Sequence, residues 1–258
     1  MPIAPSKVPD SQRSPIFIVG APRSGTSMLH WALVQHKSLW GSAESDFLST
    51  LIEGAETAFA KGTKFGEFHW LIKESVSKSE FFQHVGKAVE SLYFSRSGGL
   101  RWVDQTPNYV LHYSGLSAMF PGAKFIHIVR DGRQVINSMQ EKFGWSFAKA
   151  MHQWKHLVEA GDTINRQNKG NFLQIKYESI LLNPEKMFHM IFEFIEEDFD
   201  SNSVGFLEKP INTTNNRETE SSTDKLIPRW NTWKLYRHLF FRFYCGQMMK
   251  NLGYQVDT

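Results

Sequence analysis

The 258-residue sequence has only one cysteine, Cys245, so it cannot form a disulfide within one chain. Nothing in the sequence therefore requires an oxidising compartment, and a cytoplasmic location is expected. A lone cysteine also excludes the Cys and His spacing of a zinc finger. His152 and His156 are four residues apart, but the segment between them lacks the glutamate of a metalloprotease motif, so a structural role is expected for both.

Long hydrophobic runs and a strong charge imbalance are also missing. The most apolar late run, residues 239–249, is broken by Arg242 and is far shorter than the roughly 20 residues that span a bilayer, so no membrane span is predicted. The 29 Lys plus Arg against 26 Asp plus Glu leave a net charge of +3. So small an excess does not predict nucleic-acid binding without a basic stripe, and any recognition of a polyanion must be local.

What is present is an alternation of short apolar runs with longer helix-like stretches, in a chain that is 41% hydrophobic and 21% charged. This alternation is typical of repeated strand and helix units. It predicts a single α/β domain with a mainly parallel central sheet flanked by helices. The predicted strands are residues 15–19, 100–103, 124–129 and 172–175. The predicted helices are residues 26–36, 44–60, 79–95, 109–119, 132–143, 147–167, 184–196 and 230–252.

Two polar segments fall outside this alternation. Residues 1–14 contain Pro2, Pro5 and Pro9 and lack the apolar core of a signal peptide, so we predict a flexible leader there. The composition turns polar over residues 200–224, and residues 212–224 contain almost nothing that could fill a core, which predicts a surface loop acting as a lid over residues 200–224. The folded domain is accordingly expected over residues 15–258.

The first candidate site is a loop between a predicted strand and a predicted helix, Gly20-Ala-Pro-Arg-Ser-Gly-Thr-Ser27. Its G-x-x-x-x-G-x-[ST] spacing is that of a phosphate-binding loop, in which backbone N–H groups and a helix N-terminus face one anion. The lysine that contacts the β and γ phosphates in nucleoside triphosphatases is replaced by Thr26, and a cation stands earlier, at Arg23. The loop therefore predicts an anionic ligand, held by residues 23–27, but departs from the triphosphatase version.

The second candidate site follows the predicted strand 124–129. Arg130 lies at the carboxyl end of this strand, the edge at which open α/β sheets bind ligands. Ser138 lies about two helical turns further on, where its hydroxyl could bind a phosphate held by Arg130. Both candidate cations are thus expected at one edge of the sheet.

These two segments resemble the PAPS-dependent sulfotransferases, which use 3′-phosphoadenosine 5′-phosphosulfate (PAPS) as donor. Residues 22–27 are similar to the family's 5′-phosphosulfate loop, and residues 125–138 are similar to its 3′-phosphate segment. The resemblance extends from Pro15 to Tyr254. It includes three further matches, Lys176-Tyr-Glu178, Asn183-Pro-Glu185 and Ser222-Thr-Asp224.

The resemblance implies that a sulfuryl group moves from PAPS to an acceptor hydroxyl on a small molecule, sugar, lipid or peptide, leaving adenosine 3′,5′-bisphosphate (PAP). No metal is obligatory, because the transferred group carries less charge than a phosphoryl group. Arg23 would then hold the leaving phosphosulfate. The cofactor-binding residues implied in this way are Arg23, Ser24, Gly25, Thr26, Ser27, Arg130, Ser138, Tyr177, Ser222 and, by similarity to the tyrosylprotein branch, Lys142.

Glu44 is the first choice for the catalytic base, because it follows the first helix and should return to the edge that carries the loop. The tyrosylprotein sulfotransferases carry their base at the equivalent distance, as the second of two adjacent acids, whereas Ala43 stands at the first position here. Asp104 at a strand end is the competing acid. His36 and His127 are further candidates for the base, although a structural role is expected for each.

The second cation on the leaving group is not specified by the sequence. Many family members carry a lysine before the Thr-Pro pair, and Gln105 stands there in this chain. Lys234 or Arg229 could replace it. Four aromatic residues are candidates for the wall of an acceptor pocket: Trp40, Phe68, Trp70 and Trp145.

Two alternatives to sulfuryl transfer remain at this stage. One is a magnesium-dependent kinase of a small molecule, in which residues 126–131 would hold the metal, although the missing loop lysine disfavours it. The other is a nucleotide-binding regulatory module without activity. The sequence predicts neither the acceptor nor the oligomeric state.

Overall fold

A computed structural model describes residues 14–168, 170–208 and 230–256. Its centre is a five-stranded, all-parallel sheet in the order β2-β3-β1-β4-β5. The strands are β1 (Ile16–Gly20), β2 (Leu39–Gly41), β3 (Arg101–Asp104), β4 (Lys124–Val129) and β5 (Phe172–Lys176). The predicted α/β domain with a parallel sheet is thereby confirmed.

Helices connect the strands and cover the sheet. They are α1 (Thr26–Leu33), α2 (Phe47–Thr63), α3 (Trp70–Lys73), α4 (Lys78–Ser97), α5 (Tyr113–Met119), α6 (Gly132–Phe143), α7 (Phe147–Gln167), α8 (Tyr177–Leu182), α9 (Pro184–Ile195), α10 (Ser201–Glu208) and α11 (Leu235–Asn251). Short 3-10 turns lie at Gly66–Phe68, Pro107–His112 and Trp230–Thr232. No helix in the described ranges is long and apolar enough to cross a membrane.

Side chains alternate across the central strand because successive residues of a strand point to opposite faces. Phe17 and Val19 belong to a core that includes residues of α4 to α7 and α11. Ile16 and Ile18 belong to a second core with residues of α1 and α9. Both faces of the sheet are therefore covered, as the continuous apolar runs of the strands predict.

The strand order determines which segments meet at the edge of the sheet formed by the carboxyl ends of the strands, which we call the ligand edge. β1 pairs with β3 on one side and with β4 on the other, so the chain changes direction across the sheet at β1. Gly20, the last residue of β1, lies opposite Ile128 near the end of β4. The segments that follow these two strands consequently leave the same edge side by side, at the kind of crevice in which open α/β sheets bind ligands.

Several predicted boundaries are wrong. The helix predicted from residue 44 begins at Phe47, because Asp46 has a left-handed φ of 52° and stops any earlier helical turn. Glu44 therefore lies in the connection that precedes α2. The three-residue strand β2 was not predicted, and the predicted helix 109–119 begins as a 3-10 turn.

The two polar segments are only partly described. Residues 1–13 of the predicted leader lie outside the described residues. In the predicted lid, residues 201–208 form α10 rather than a loop, with Ser203 and Leu207 buried. The polar composition did not predict this helix, because only two of its side chains need to be buried to hold it against the core. Residues 209–229 lie outside the described residues, so the lid remains a prediction.

Gly86 in α4 tests the packing of α4 on α5. A Cβ at this position would lie 2.2 Å from the backbone oxygen of Met119, whereas a Cβ at Gly54 in α2 would meet nothing within 4 Å. Gly86→Ala should therefore lower the free energy of unfolding by about 1 to 3 kcal/mol in urea titrations. The control Gly54→Ala should raise it by about 0.5 to 1 kcal/mol. Stabilisation by both substitutions would contradict the close packing at Gly86.

Two buried histidines should make the fold sensitive to acid. Burial lowers the pKa of His30 and of His127 to about 4, from an ordinary value of 6.5. The unfolded chain therefore binds more protons than the folded one, and stability falls as pH drops from 6.5 towards 4. At pH near 5 each histidine should cost on the order of 2 kcal/mol.

Urea titrations at neutral pH and near pH 5 would measure this loss. The variant His30→Asn should lose less stability between the two pH values than the wild type. The exposed His84 provides the control, and His84→Asn should behave like the wild type. Equal pH dependence in His30→Asn and the wild type would show that the buried ring is not responsible.

Candidate active site

The loop after β1 has the backbone of an anion cradle. Arg23 and Gly25 have left-handed φ angles of 71° and 104°, and the Ser24 N–H donates to the carbonyl oxygen of Ala21 at 3.1 Å. Alternation of right-handed and left-handed residues turns successive N–H groups towards one side, which forms an anion-binding concavity. Helix α1 begins directly afterwards, at Thr26, and has no acidic residue in its first turn.

The shape of this loop depends on glycine and on Tyr177. A Cβ at Gly25 would lie 2.4 Å from a ring carbon of Tyr177, so a larger residue would displace either the loop or the ring. Ser24 is fully buried beneath the loop, and its Oγ has no hydrogen-bond partner among the described residues. A buried hydroxyl without a partner is costly, which fits a site whose ligand completes the hydrogen bonding.

The two predicted phosphate segments form one site. The Arg23 Nε donates to Ser138 Oγ at 3.1 Å, and Arg130 Nη1 donates to the Arg23 carbonyl oxygen at 3.3 Å. The guanidinium carbon of Arg130 lies 4.3 Å from the centroid of the Tyr177 ring. Arg23, Arg130, Ser138 and Tyr177 are thus brought together from four separate elements, as the common sheet edge predicts.

The electrostatics of the site favour an anion. Burial is the main cause that lowers the pKa of Arg23, and the nearby positive charge of Arg130 lowers it further. The negative charge of Glu141 acts in the opposite direction. Two guanidinium groups that repel each other at a sheet edge are stabilised when an anion binds both.

A carboxylate to which sequence analysis assigned no role, Glu178, holds the Arg130 segment in place. Glu178 accepts from the backbone N–H of Asp131 at 3.0 Å and from the hydroxyl of Tyr254 at 2.8 Å. Asp131 in turn caps α6 by accepting from the backbone N–H of Arg133 at 2.9 Å. The start of α6, the helix that carries Ser138, is therefore fixed to the first turn of α8. The match at residues 176–178 was the only sequence signal for this arrangement.

A cleft of about 760 Å³ opens at this edge. Seven of the predicted cofactor-binding residues line it: Arg23, Gly25, Thr26, Ser27, Arg130, Ser138 and Tyr177. Glu44 lines it as well, and Ser24 lies buried below. Lys142 is exposed on α6 and is not among the lining residues. Ser222 lies outside the described residues.

Three acids line the cleft, Asp46, Glu141 and Glu44, and of these Glu44 is the predicted base. Its pKa is raised, first by burial and then by the negative charges of Asp46 and Asp104. Asp104 itself is only 3% exposed and does not line the cleft. Its Oδ1 accepts from the backbone N–H of Thr106 at 2.8 Å, which stabilises the turn after β3.

Hydrogen bonds fix the backbone directly after Glu44. The Ser45 N–H donates to Thr106 Oγ1 at 3.1 Å, and Ser45 Oγ lies 2.6 Å from the Tyr109 hydroxyl. The same hydroxyl accepts from the backbone N–H of Leu48 at 3.0 Å. Tyr109 thus connects the Glu44 segment to the turn after β3. Sequence analysis missed this role because Tyr109 resembles an ordinary core residue.

The remaining candidate bases and metal ligands lie elsewhere. His36 and His127 are buried and do not line the cleft; His36 Nδ1 lies 2.8 Å from Ser38 Oγ, and His127 Nδ1 lies 3.0 Å from Gln174 Oε1. His152 Nδ1 lies 2.9 Å from the Tyr244 hydroxyl. Over residues 14–168, 170–208 and 230–256, no group of three or more His, Cys, Asp or Glu could hold a metal ion.

The aromatic candidates divide into two groups. Trp145 lines the cleft, whereas Trp40 packs on Tyr93 with ring centroids 6.2 Å apart. Phe68 and Trp70 are exposed and do not line the cleft. The sequence missed two further aromatic residues that line the cleft, Trp31 and Phe143.

Of the two candidates for the second cation on the leaving group, only one lies within the described residues. Lys234 is the exposed residue that precedes α11 and is not among the cleft residues. Arg229 lies outside the described residues. Gln105, which stands at the position of the expected lysine, lines the cleft.

Comparisons with curated proteins identify relatives along most of the chain. A protein-tyrosine sulfotransferase of Drosophila melanogaster is 25% identical over 224 residues, covering 82% of this chain and 44% of that protein. Protein-tyrosine sulfotransferase A of Caenorhabditis elegans is 23% identical, covering 82% of this chain and 57% of that protein. The chain thus spans about half the length of these relatives.

Solved structures share the fold. The sulfotransferase domain of the Synechococcus PCC 7002 olefin synthase superposes with a TM-score of 0.64 at 20% identity, covering 97% of this chain and 99% of that one. The mouse sulfotransferase SULT7A1, complexed with PAP, gives a TM-score of 0.55 at 15% identity, covering 94% and 87%. At these identities the likeness concerns the fold.

The family is established by the sequence match itself. The profile described as "Sulfotransferase family" matches residues 15–201, which include both phosphate segments and the strands that carry them. The match ends within α10 and covers more than two thirds of the chain. This chain belongs to the sulfotransferase family.

Proposed function

We propose that this protein transfers a sulfuryl group from PAPS to an acceptor hydroxyl. One observation carries the proposal: Arg23 and Arg130 converge with Ser138 at the sheet edge, beside a left-handed loop whose buried Ser24 hydroxyl has no partner among the described residues. A ligand with two separate phosphate groups would satisfy both parts of this site. Family membership indicates that PAPS is that ligand, with PAP as the product.

The donor site would be divided between the two segments. The N–H groups of residues 24–27, the N-terminus of α1 and the Arg23 side chain would hold the 5′-phosphosulfate. Arg130 and Ser138 would hold the 3′-phosphate through charge-assisted hydrogen bonds. Tyr177 supports both halves by packing against Gly25 and Arg130. Lys142 and Ser222 remain predicted contacts, as does the lid over residues 200–224.

When bound, PAPS supplies the sulfuryl group and a good leaving group. Glu44 would take the proton of the acceptor hydroxyl during attack, since it lines the cleft at the position that resembles the base of the tyrosylprotein sulfotransferases and its raised pKa strengthens it as a base. Arg23 and the loop N–H groups would stabilise the charge that develops on the departing phosphate. This division of roles needs no metal ion.

The acceptor would enter beside Trp31, Phe143 and Trp145, which line the cleft together with Glu44. Aromatic walls with a few polar groups are typical of small-molecule and side-chain binding sites. We propose a hydroxyl acceptor on a small molecule, sugar, lipid or peptide, and a cytoplasmic location remains the prediction from the single cysteine.

The magnesium-dependent kinase is not favoured, because the chain belongs to the sulfotransferase family and its loop lacks the phosphate-binding lysine. A regulatory module without activity would bind the same nucleotide. The difference between this module and an enzyme is whether Glu44 supports turnover, so binding and turnover require separate experiments.

Binding of PAP and of adenosine 5′-monophosphate, measured by calorimetry in the presence of a chelator, tests the donor site. The two nucleotides differ by the 3′-phosphate that we assign to Arg130. The wild type should bind PAP roughly 10 to 100 times more tightly than the monophosphate. In Arg130→Ala this ratio should fall below about threefold, because the 3′-phosphate loses its charged partner.

The control is Arg96→Ala, which removes an exposed arginine at the end of α4 and should leave the ratio unchanged. Equal loss of affinity for both nucleotides in Arg130→Ala would contradict the assignment of Arg130 to the 3′-phosphate. Preference of the wild type for ATP with magnesium would contradict the proposed donor.

Glu44→Gln tests the base. With PAPS and an acceptor found by screening, this variant should lower kcat about 10² to 10⁴-fold, while its affinity for PAP changes little. In the wild type, kcat/KM should rise with pH through a pKa above the ordinary glutamate value of 4.5, because Glu44 must be deprotonated to accept the proton.

The matched control is Glu53→Gln, an exposed glutamate on α2, which should keep wild-type turnover. If Glu44→Gln retained turnover and the acid limb of the pH profile, the base would have to be sought elsewhere. If the wild type bound PAP but no acceptor screen gave turnover, the regulatory module would be the better description.

A further inference from the structure

The C-terminal part of the chain has an unusual charge pattern. Residues 225–256 contain no aspartate or glutamate. They contain six basic residues: Lys225, Arg229, Lys234, Arg237, Arg242 and Lys250. Residues 1–224 hold 25 of the 26 acids, and Asp257 is the remaining one. This basic stretch includes the whole of α11.

One side of α11 is packed into the protein. Phe241, Cys245, Met248 and Met249 are buried in the core, and the Phe241 ring lies 6.2 Å from the ring of Trp154 in α7. This side accounts for the position of the helix in the fold. It does not explain why the opposite side of α11 carries large apolar residues.

The opposite side is exposed, and over residues 235–243 it is also apolar, whereas Gln247 and Lys250 continue it towards the C-terminus. Five large side chains with exposed fractions from 49% to 87% lie on it: Leu235 70%, Tyr236 62%, Leu239 55%, Phe240 49% and Phe243 87%. At 3.6 residues per turn they fall within an arc of about 140°. We call these five residues the α11 outer face. Over residues 235–243 the helix therefore carries large apolar side chains on two opposite sides, and the described residues cover only one of them.

The charges around the α11 outer face are basic. Arg242 and Lys250 are exposed on the same helix, and Lys234 is exposed directly before it. On the adjacent helix α7, Glu159 is paired with Lys155 at 3.4 Å. A partner of this face must accordingly offer an apolar layer bordered by negative charge.

An anionic lipid surface fits both requirements. Acyl chains would cover the five apolar side chains, while lipid headgroups would pair with the basic residues, as in helices that lie in the plane of a membrane interface. A second copy of this chain fits less well, because a twofold contact would place like charges opposite each other. Anionic lipids are enriched in the cytoplasmic leaflet, which agrees with the predicted location.

We propose that the α11 outer face docks the protein on an anionic membrane surface. The docking is peripheral and reversible, since only one helix face with flanking charges takes part. It does not depend on the proposed sulfuryl transfer, because no residue of the α11 outer face lines the cleft.

Sedimentation of the full chain with lipid vesicles tests the proposal. The wild type should bind vesicles that contain about 30% phosphatidylserine in phosphatidylcholine, and bind pure phosphatidylcholine at least several-fold more weakly. Phe243→Ser should lower the affinity roughly tenfold or more, because it removes the most exposed ring of the face. Arg242→Gln should lower it about fivefold and reduce its dependence on salt.

The matched control is Phe68→Ser, which removes a ring that is 95% exposed but lies in a different part of the fold. It should bind vesicles like the wild type. Circular dichroism and urea titration of each variant would establish that the fold is retained.

Four results would overturn the proposal. They are no binding of the wild type to anionic vesicles, equal binding to neutral and anionic vesicles, equal loss in Phe68→Ser and Phe243→Ser, and wild-type binding by Phe243→Ser. A concentration-dependent dimer that Phe243→Ser abolishes, without vesicle binding, would assign the face to a second copy instead. Loss of nucleotide binding or turnover has no bearing on these measurements.

Discussion

The contact between Arg23 and Arg130 is the constraint on which the site depends. Two like charges lie beside each other because β1 and β4 are neighbours and both end at the same sheet edge. Their repulsion lowers the pKa of Arg23 in addition to the effect of burial. The arrangement is unfavourable in isolation and becomes favourable when an anion binds between the two segments.

The surrounding structure keeps the two cations together. Tyr177 packs on one side against the Gly25 loop and on the other against the Arg130 guanidinium. Glu178 fixes the start of α6 through Asp131 and Tyr254. The C-terminal part of the chain thereby stabilises the ligand edge, although it contributes no lining residue to the cleft among the described residues. The proposed donor site and the fold therefore depend on the same few contacts.

The sequence predicted the parts of the site whose signal is local. The glycine spacing of residues 20–27 and the position of Arg130 at a strand end specified the loop and the cation, and the parallel sheet follows from the apolar runs. Tyr109 and Glu178 could not be predicted, since their roles depend on side chains that are distant in sequence. The sequence did not predict helix α10 at the start of the proposed lid. The segment is polar overall, and its composition does not indicate that Ser203 and Leu207 are buried.

The most direct test of the paired-arginine site is a crystal structure of the protein grown with PAP and without metal. The account predicts that the 5′-phosphate contacts the N–H groups of residues 24–27 and Arg23, while the 3′-phosphate contacts Arg130 and Ser138. It also predicts that the Ser24 hydroxyl gains a hydrogen-bond partner. Nucleotide bound in the opposite orientation, or away from both arginines, would contradict the assignment of the two segments to the two phosphates.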